Sequence, residues 1–165
     1  MRAFKLASKN NGIKEHKLLI VGNSPVVGNS FYQSLLSISD GLSIEKDIIF
    51  LHDINNDDLV TIYNSASLFV FPSIFEGFGF PPLEAMACGC PVICSKNSSL
   101  PEVVGDAAIM FEPQNIELLA DLINEVLKSS QLHSELSAKG LKRVVLFSWE
   151  NAARQTLAVY QRLAV

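Results

Sequence analysis

Residues 68–95 read LFVFPSIFEGFGFPPLEAMACGCPVICS. Two continuously apolar runs, 68–72 and 91–95, enclose a Gly/Pro-rich loop and a short helical segment at about 82–88. Apolar runs without alternation are the mark of strands buried on both faces, and such strands belong to parallel sheets. Working outward, LLIVG (18–22), DIIFL (47–51) and AAIMF (107–111) repeat the pattern, with helical segments between them at 29–39 and 56–66. Asn55 or Asn56 is placed to cap the second of these. The alternation predicts an α/β fold, a Rossmann-like doubly wound parallel sheet of about five strands.

After residue 111 the strand pattern stops. Ile116, Leu119, Leu122, Ile123, Val126 and Leu127 recur at spacings of three and four, one buried stripe of a helix opened near Asn115. Two further helices are expected at 131–146 and 149–163, with Ser148 as the cap between them. At the other end, residues 2–9 read as a helix closed by the Asn10-Asn11-Gly12 turn. A doubly wound domain rarely opens on such a helix, so a strand that normally precedes it is expected to be missing.

Composition narrows the function. The chain has 165 residues, 48% hydrophobic and 18% charged, with a formal net charge of −4. That is enough for one ordinary core, and we read residues 1–165 as a single domain. No basic run exceeds Lys142-Arg143, which argues against nucleic acid or an anionic membrane as partner. No apolar run reaches the length of a membrane span, and a cytoplasmic location is expected. Cys88, Cys90 and Cys94 form C-x-C-x3-C, which suits neither a disulfide framework nor a zinc knuckle, and His16, His52 and His133 are scattered. No metal site is expected, and the cysteines read as reduced core residues. Asn97-Ser98-Ser99 fits a glycosylation sequon, a pattern with meaning only in a secreted protein.

Ligands of open parallel sheets sit beyond the carboxyl ends of the strands. The loop 73–81 occupies such a place. Gly77 and Gly79 allow close backbone approach, and Pro81 or Pro82 suits a first helical position. The helix N-terminus expected near Pro82 favours an anion such as phosphate, with Phe78, Gly79, Phe80, Leu83 and Glu84 as candidate backbone donors. Glu76 in the loop and Glu84, expected in the first helical turn, flank that point. A carboxylate accepts from two neighbouring hydroxyls, so ribose, diphosphate and sugar in a row would satisfy both. The competing reading is an acid/base pair of a glycoside hydrolase, which needs the two carboxyls to face each other across a scissile bond.

The run FVFPSIFEGFGFPPLEAMACGCPVICSKNSSLPEVVGDAAIMFEP resembles the C-terminal, donor-binding domain of the retaining GT-B glycosyltransferases of glycosyltransferase family four. KLLIVG, IIFLHDINNDDLVTIYNSA and FSWENAARQTLAVY extend the resemblance over nearly the whole chain. It implies that Glu76 binds hydroxyls of the donor sugar, which makes it the candidate catalytic residue, and that Glu84 binds the ribose diol. Gly77, Phe78, Gly79, Phe80 and Leu83 would meet sugar and diphosphate. The stretch His52-Asp53-Ile54, after the second visible strand, matches the place of the nucleotide base; Asp53 as a helix-leading turn residue is an equal reading. Sugar transfer with retention, without metal or cofactor, is implied, and a front-face displacement assisted by the leaving phosphate is the preferred mechanism.

The chain departs from that pattern in its cations. The family supplies an Arg and a Lys in a GR…KG-like loop after the first strand, and nothing here matches it; Arg2 and Lys5 do not inherit the role, and Lys96 has no supporting motif. The N-terminal acceptor domain is also missing, and any peripheral membrane association would come through it. The missing strand lies at the centre of the family's sheet, between the equivalents of LLIVG and LFVFP. Its absence should leave a gap, a direct pairing of those neighbours, or a substitute strand from another chain. The expected protein is thus an NDP-sugar-binding fragment, with mannose favoured as the sugar, that alone transfers nothing; the alternative is a non-catalytic subunit completed by a partner chain.

Overall fold

The structure is a computed structural model describing residues 1–9, 13, 15–22 and 30–163. The expected Asn10-Asn11-Gly12 turn lies outside the described residues, as does the first residue of the helix expected at 29–39.

In chain order the elements are α1 (Arg2–Lys9), β1 (Leu18–Gly22), α2 (Ser30–Leu42), a 3-10 turn (Glu45–Asp47), β2 (Ile48–His52), α3 (Asn56–Ser65), β3 (Phe69–Phe71), α4 (Phe80–Ala87), β4 (Val92–Ser95), α5 (Leu100–Val104), β5 (Ile109–Phe111), α6 (Ile116–Lys128), α7 (Ser130–Val144) and α8 (Trp149–Leu163). The caps follow the sequence signals. Asn55 Oδ1 accepts from the Asp58 N–H at 2.8 Å, Asn115 Oδ1 from Leu118 at 3.0 Å, and Ser148 Oγ from Asn151 at 3.1 Å. Each satisfies a donor that a helix start leaves unpaired.

All strand pairs are parallel, as expected for this class, but they fall into two sheets, β1–β2 and β3–β4–β5. β1 and β3 are not paired with each other, and each keeps one edge without a strand partner among the described residues. Of the three outcomes expected for the missing central strand, direct pairing of β1 with β3 does not occur among the described residues. His16, just before β1, and Ser67, just before β3, line one open cavity of about 340 Å³ with the end of α6 and the start of α7.

Helices cover both faces of the three-stranded sheet. Ile93 and Phe111 point into a cluster built with Ala3, Phe4 and Ala7 of α1 and with Leu119, Ala120, Ile123 and Val126 of α6. Val92 and Cys94, their neighbours in β4, point the other way, onto Leu83 and Met86 of α4, Leu100, Val103 and Val104 of α5, and Tyr63 of α3. That alternation is what a doubly wound sheet requires of a central strand. Gly140 of α7 lets this helix close onto α4: a Cβ there would lie 3.0 Å from Met86 Cγ. Arg143 then ties α7 to α5, donating to the carbonyls of Val103 (2.9 Å) and Glu102 (2.5 Å).

α8 lies on the surface. It has no buried residue, and Trp149, Leu157, Tyr160 and Leu163 are all more than half exposed. Among the described residues no helix is long and apolar enough to cross a membrane.

Candidate functional site

The site is built on the loop between β3 and α4. α4 begins at Phe80, two residues before the expected start, because an N–H is as dispensable at the second and third helical positions as at the first. Pro81 and Pro82 fill those positions. One consequence corrects the sequence reading: Glu84 lies in the second turn of α4, and the first turn carries no acidic residue. A second concerns donors. Of the N–H groups a helix leaves unpaired at its start, the prolines have none, so Gly79 and Phe80 supply what is available. Leu83 is buried, and its N–H stands at the fourth position, where a helix makes its first internal bond.

Gly79 is the N-cap, with φ +110°. A Cβ there would also meet Leu100 Cδ2 at 2.8 Å, so geometry and space both demand glycine. Gly77 is different. Its φ is not positive and a Cβ would meet nothing within 4 Å, so nothing inside the protein requires glycine there.

The loop is held from one side. Ser95 donates its hydroxyl to the Ser73 carbonyl, and Asn97 Nδ2 donates to Ile74 O at 2.6 Å. Ser98 Oγ donates to Glu76 O at 2.6 Å, and Ser99 Oγ reaches Glu76 O at 3.1 Å and Phe78 O at 2.6 Å. These four side chains come from the end of β4 and the segment leading into α5. The sequence reading missed them, noting 97–99 only as a sequon; their signal was a cluster of short hydroxyl and amide side chains after a strand, at its carboxyl end.

Glu76 is half-buried and Glu84 exposed, and neither joins an ion pair among the described residues. Glu84 does have one neighbour: the Tyr63 hydroxyl donates to its Oε2 at 3.3 Å. Burial first, and the Glu84 carboxylate second, push the Tyr63 phenol well above its ordinary value, so it stays a donor at neutral pH. Burial likewise pushes Cys94 up to about 12, and burial with the adjacent Cys88 pushes Cys90 up to about 11 against an opposing hydrogen bond at Phe69. The three thiols are free and poorly nucleophilic. Among the described residues no His/Cys/Asp/Glu group is assembled that could hold a metal. Lys96 continues β4, its N–H bound to Phe111 O at 2.7 Å and its side chain exposed.

An aromatic rim surrounds the start of α4. Phe78 lies 4.7 Å from Phe80 and 6.0 Å from Phe147, and Phe80 lies 6.4 Å from Trp149. Ile74 and Phe75 at the loop tip are also exposed. Asp53 and Ile54 are placed apart from this loop, at the carboxyl end of β2 in the other sheet, Asp53 with φ +52°. His52, the first residue of that stretch, ends β2 beside them. Both ring nitrogens of His52 are buried without a hydrogen-bond partner among the described residues, and the ring meets Tyr32 edge-on at 5.1 Å. A buried unpaired ring nitrogen is costly unless something from outside satisfies it.

Comparison with known proteins gives this geometry a context. A family profile described as Glycosyl transferases group 1 matches residues 1–143. O-antigen chain mannosyltransferase B of Escherichia coli is 42% identical over 116 residues, 70% of this chain and 30% of that enzyme. Sucrose-phosphate synthase of Thermosynechococcus elongatus superposes with a TM-score of 0.83 at 28% identity, over 98% of this chain and 42% of its own. The C-terminal domain of LpcC, a glycosyl transferase group 1 family protein of Francisella tularensis, superposes with a TM-score of 0.72 at 26% identity, over 88% and 77%. The chain thus spans less than a third of the mannosyltransferase and most of an isolated C-terminal domain.

Proposed function

The chain belongs to the glycosyl transferases group 1 family, and from that premise we propose that it is the donor-binding domain of a retaining hexosyltransferase, taking a nucleotide-sugar for polysaccharide or glycoconjugate assembly. One observation carries the reading. The loop 73–79 has its carbonyls engaged from the β4 side while the N–H groups of Gly79 and Phe80 open the start of α4 between two carboxylates. Oriented donors at a helix start hold a diphosphate, and they stabilise it further as charge develops on it.

Each neighbour then has a part. Glu76 accepts from sugar hydroxyls and Glu84 from the ribose diol. Gly77, which no internal contact explains, allows the ligand to approach the backbone. Asp53, Ile54 and the unpaired His52 nitrogens face the base. In the transfer step the acceptor hydroxyl oxygen bonds to the anomeric carbon on the face the diphosphate leaves. The carbon–oxygen bond to phosphate breaks with its electron pair on the phosphate oxygen, and that oxygen takes the acceptor proton. No group on this chain needs to act as base, and no metal or cofactor is called for. In the family the acceptor site belongs to an N-terminal domain and the cationic side chains to a GR…KG-like loop after the donor domain's first strand; residues 1–165 contain neither pattern, so on this reading the chain by itself binds donor and transfers nothing. Mannose is the favoured sugar, given the mannosyltransferase relative.

The open edges of β1 and β3 favour a second reading, a nucleotide-sugar-binding subunit completed by a separate partner chain. An upstream strand with a GR…KG-like loop in the same reading frame would decide for the first.

Calorimetric titration with GDP-, UDP- and dTDP-sugars and with the free nucleotides tests the site. Glu84→Ala should weaken nucleotide and nucleotide-sugar alike by about tenfold or more, the loss of charge-assisted hydrogen bonds. Glu76→Ala should weaken the nucleotide-sugar and leave the nucleotide alone. Unchanged binding in both variants would sink the assignment.

A further inference from the structure

We infer that Ser98 and Ser99 are positioning residues for the donor site: their hydroxyls set the direction of the Gly77 and Gly79 N–H groups, and so determine how well the protein holds a diphosphate. The inference rests on the donor-site reading above and adds to it a device in a different loop.

In a trans peptide the carbonyl of one residue and the N–H of the next point in opposite directions, and no cis bond occurs among the described residues. Fixing the Glu76 carbonyl therefore aims the Gly77 N–H the other way, and fixing the Phe78 carbonyl does the same for Gly79. Ser98 Oγ holds the first at 2.6 Å and Ser99 Oγ the second, also at 2.6 Å, with a longer contact of Ser99 to Glu76 O at 3.1 Å. Asn97 and Ser95 treat the carbonyls of Ile74 and Ser73 alike. Glycines at 77 and 79 leave these peptide planes free to rotate unless something restrains them. The restraint comes from 21 to 23 residues away.

The clamp is itself anchored. Ser98 sits at φ +53°, a strained conformation for serine that a substitution would have no local reason to keep. Leu100, directly after Ser99, is fully buried and abuts Gly79, and α5 is held by Arg143 of α7. Preorganised donors bind an anion without first being ordered. Loss of the hydroxyls should thus weaken the diphosphate contribution and spare recognition of base and ribose, which lies with β2 and Glu84.

The test uses calorimetry with GDP and UDP, and with guanosine and uridine as probes lacking the diphosphate, on wild type, S98A, S99A and S99T. The expected result is that S98A and S99A each lose roughly tenfold in affinity for the diphosphate, that S99T keeps it, and that nucleoside affinity is unchanged in all. Amide hydrogen exchange supplies a readout on wild type alone: GDP or UDP should slow exchange at Gly77 and Gly79. If wild type binds and the alanine variants bind within twofold of it, or if Gly77 and Gly79 gain no protection, the clamp is overturned while the donor site stands. If wild type binds no nucleotide diphosphate, the donor-site reading fails first and the clamp's role falls with it.

Discussion

In β4 every residue from Val92 to Ser95 is completely enclosed, whereas in β1 Leu19 and Val21 are each 42% exposed, and Ile49 beside them in β2 is 43% exposed. The two stretches, PVICS and LLIVG, are comparably apolar in sequence. What separates them is their surroundings. β4 has a strand on each side and helices over both faces. Among the described residues β1 has a strand on one side only, and of its two faces the one bearing Leu18 and Ile20 joins the common core. An apolar run thus records where a strand is suited to lie, and burial follows only when all its neighbours are present. The superposition on sucrose-phosphate synthase covers 98% of the chain, so both sheets keep their places relative to each other although no strand joins them.

The largest expected effect breaks this comparison directly. Ile93→Ala removes a side chain with no exposed surface from the middle of the three-stranded sheet and should cost about 3 kcal/mol. Leu19→Ala, on the uncovered face of β1, should cost about 1 kcal/mol or less. Urea midpoints of the two variants measure the difference. Equal costs would mean that the two sheets are covered alike in solution.

A second contrast lies within the donor loop. Gly79→Ala places a Cβ at φ +110° and against Leu100, and should destabilise the fold by roughly 2 kcal/mol while shifting the start of α4. Gly77→Ala meets neither obstacle and should leave the melting temperature within a degree or two, or raise it slightly, since it only restricts the unfolded chain. Both should lose nucleotide-sugar affinity in titration, Gly77→Ala through the ligand's approach alone. A Gly77→Ala variant that binds like wild type would remove the close approach from the mechanism.

These contrasts show what the sequence discloses and where it stops. Asn55, Asn115 and Ser148 could be recognised as caps because a cap bonds to a residue three positions on. Four of the five strands lie within about a residue of their expected places, and AAIMF enters its strand two residues late, at Ile109, because continuous apolar runs are strong local signals. The start of α4 was misplaced since two adjacent prolines are compatible with several first-turn positions. α5, five residues long, is too short to show a helical period. The serine clamp depends on contacts across 21 to 23 residues, which no local pattern records.

Alkaline pH should act on the three-stranded half. Cys90 and Cys94 ionise in the unfolded chain near 9.0, whereas burial holds them as thiols in the folded one up to about 11 and about 12. Both groups thus support folding below pH 9, and that support is lost as pH rises from 9 through those values, since the unfolded state alone releases protons in the window. Urea midpoints should fall between pH 9 and 11. Cys94→Val, close in volume and without a titrating group, should make the fall shallower. A slope that Cys94→Val leaves untouched would show that the thiol is not buried as described.

The smallest effect is expected at the junction of site and core. The Tyr63 ring packs into the cluster beneath α4, edge-on to Phe69 at 5.3 Å, while its hydroxyl reaches Glu84 across 3.3 Å. Tyr63→Phe keeps the ring and removes the hydrogen bond. Because that contact is long and Glu84 is exposed, water can replace the lost donor, and the cost should stay within about 0.5 to 1 kcal/mol. Nucleotide affinity should change by less than about threefold, since an exposed carboxylate remains able to turn toward a diol without Tyr63. A larger loss of affinity at unchanged stability would instead mean that Tyr63 fixes the Glu84 rotamer, which would make it the counterpart, on the other side of the loop, of the serines that fix Gly77 and Gly79.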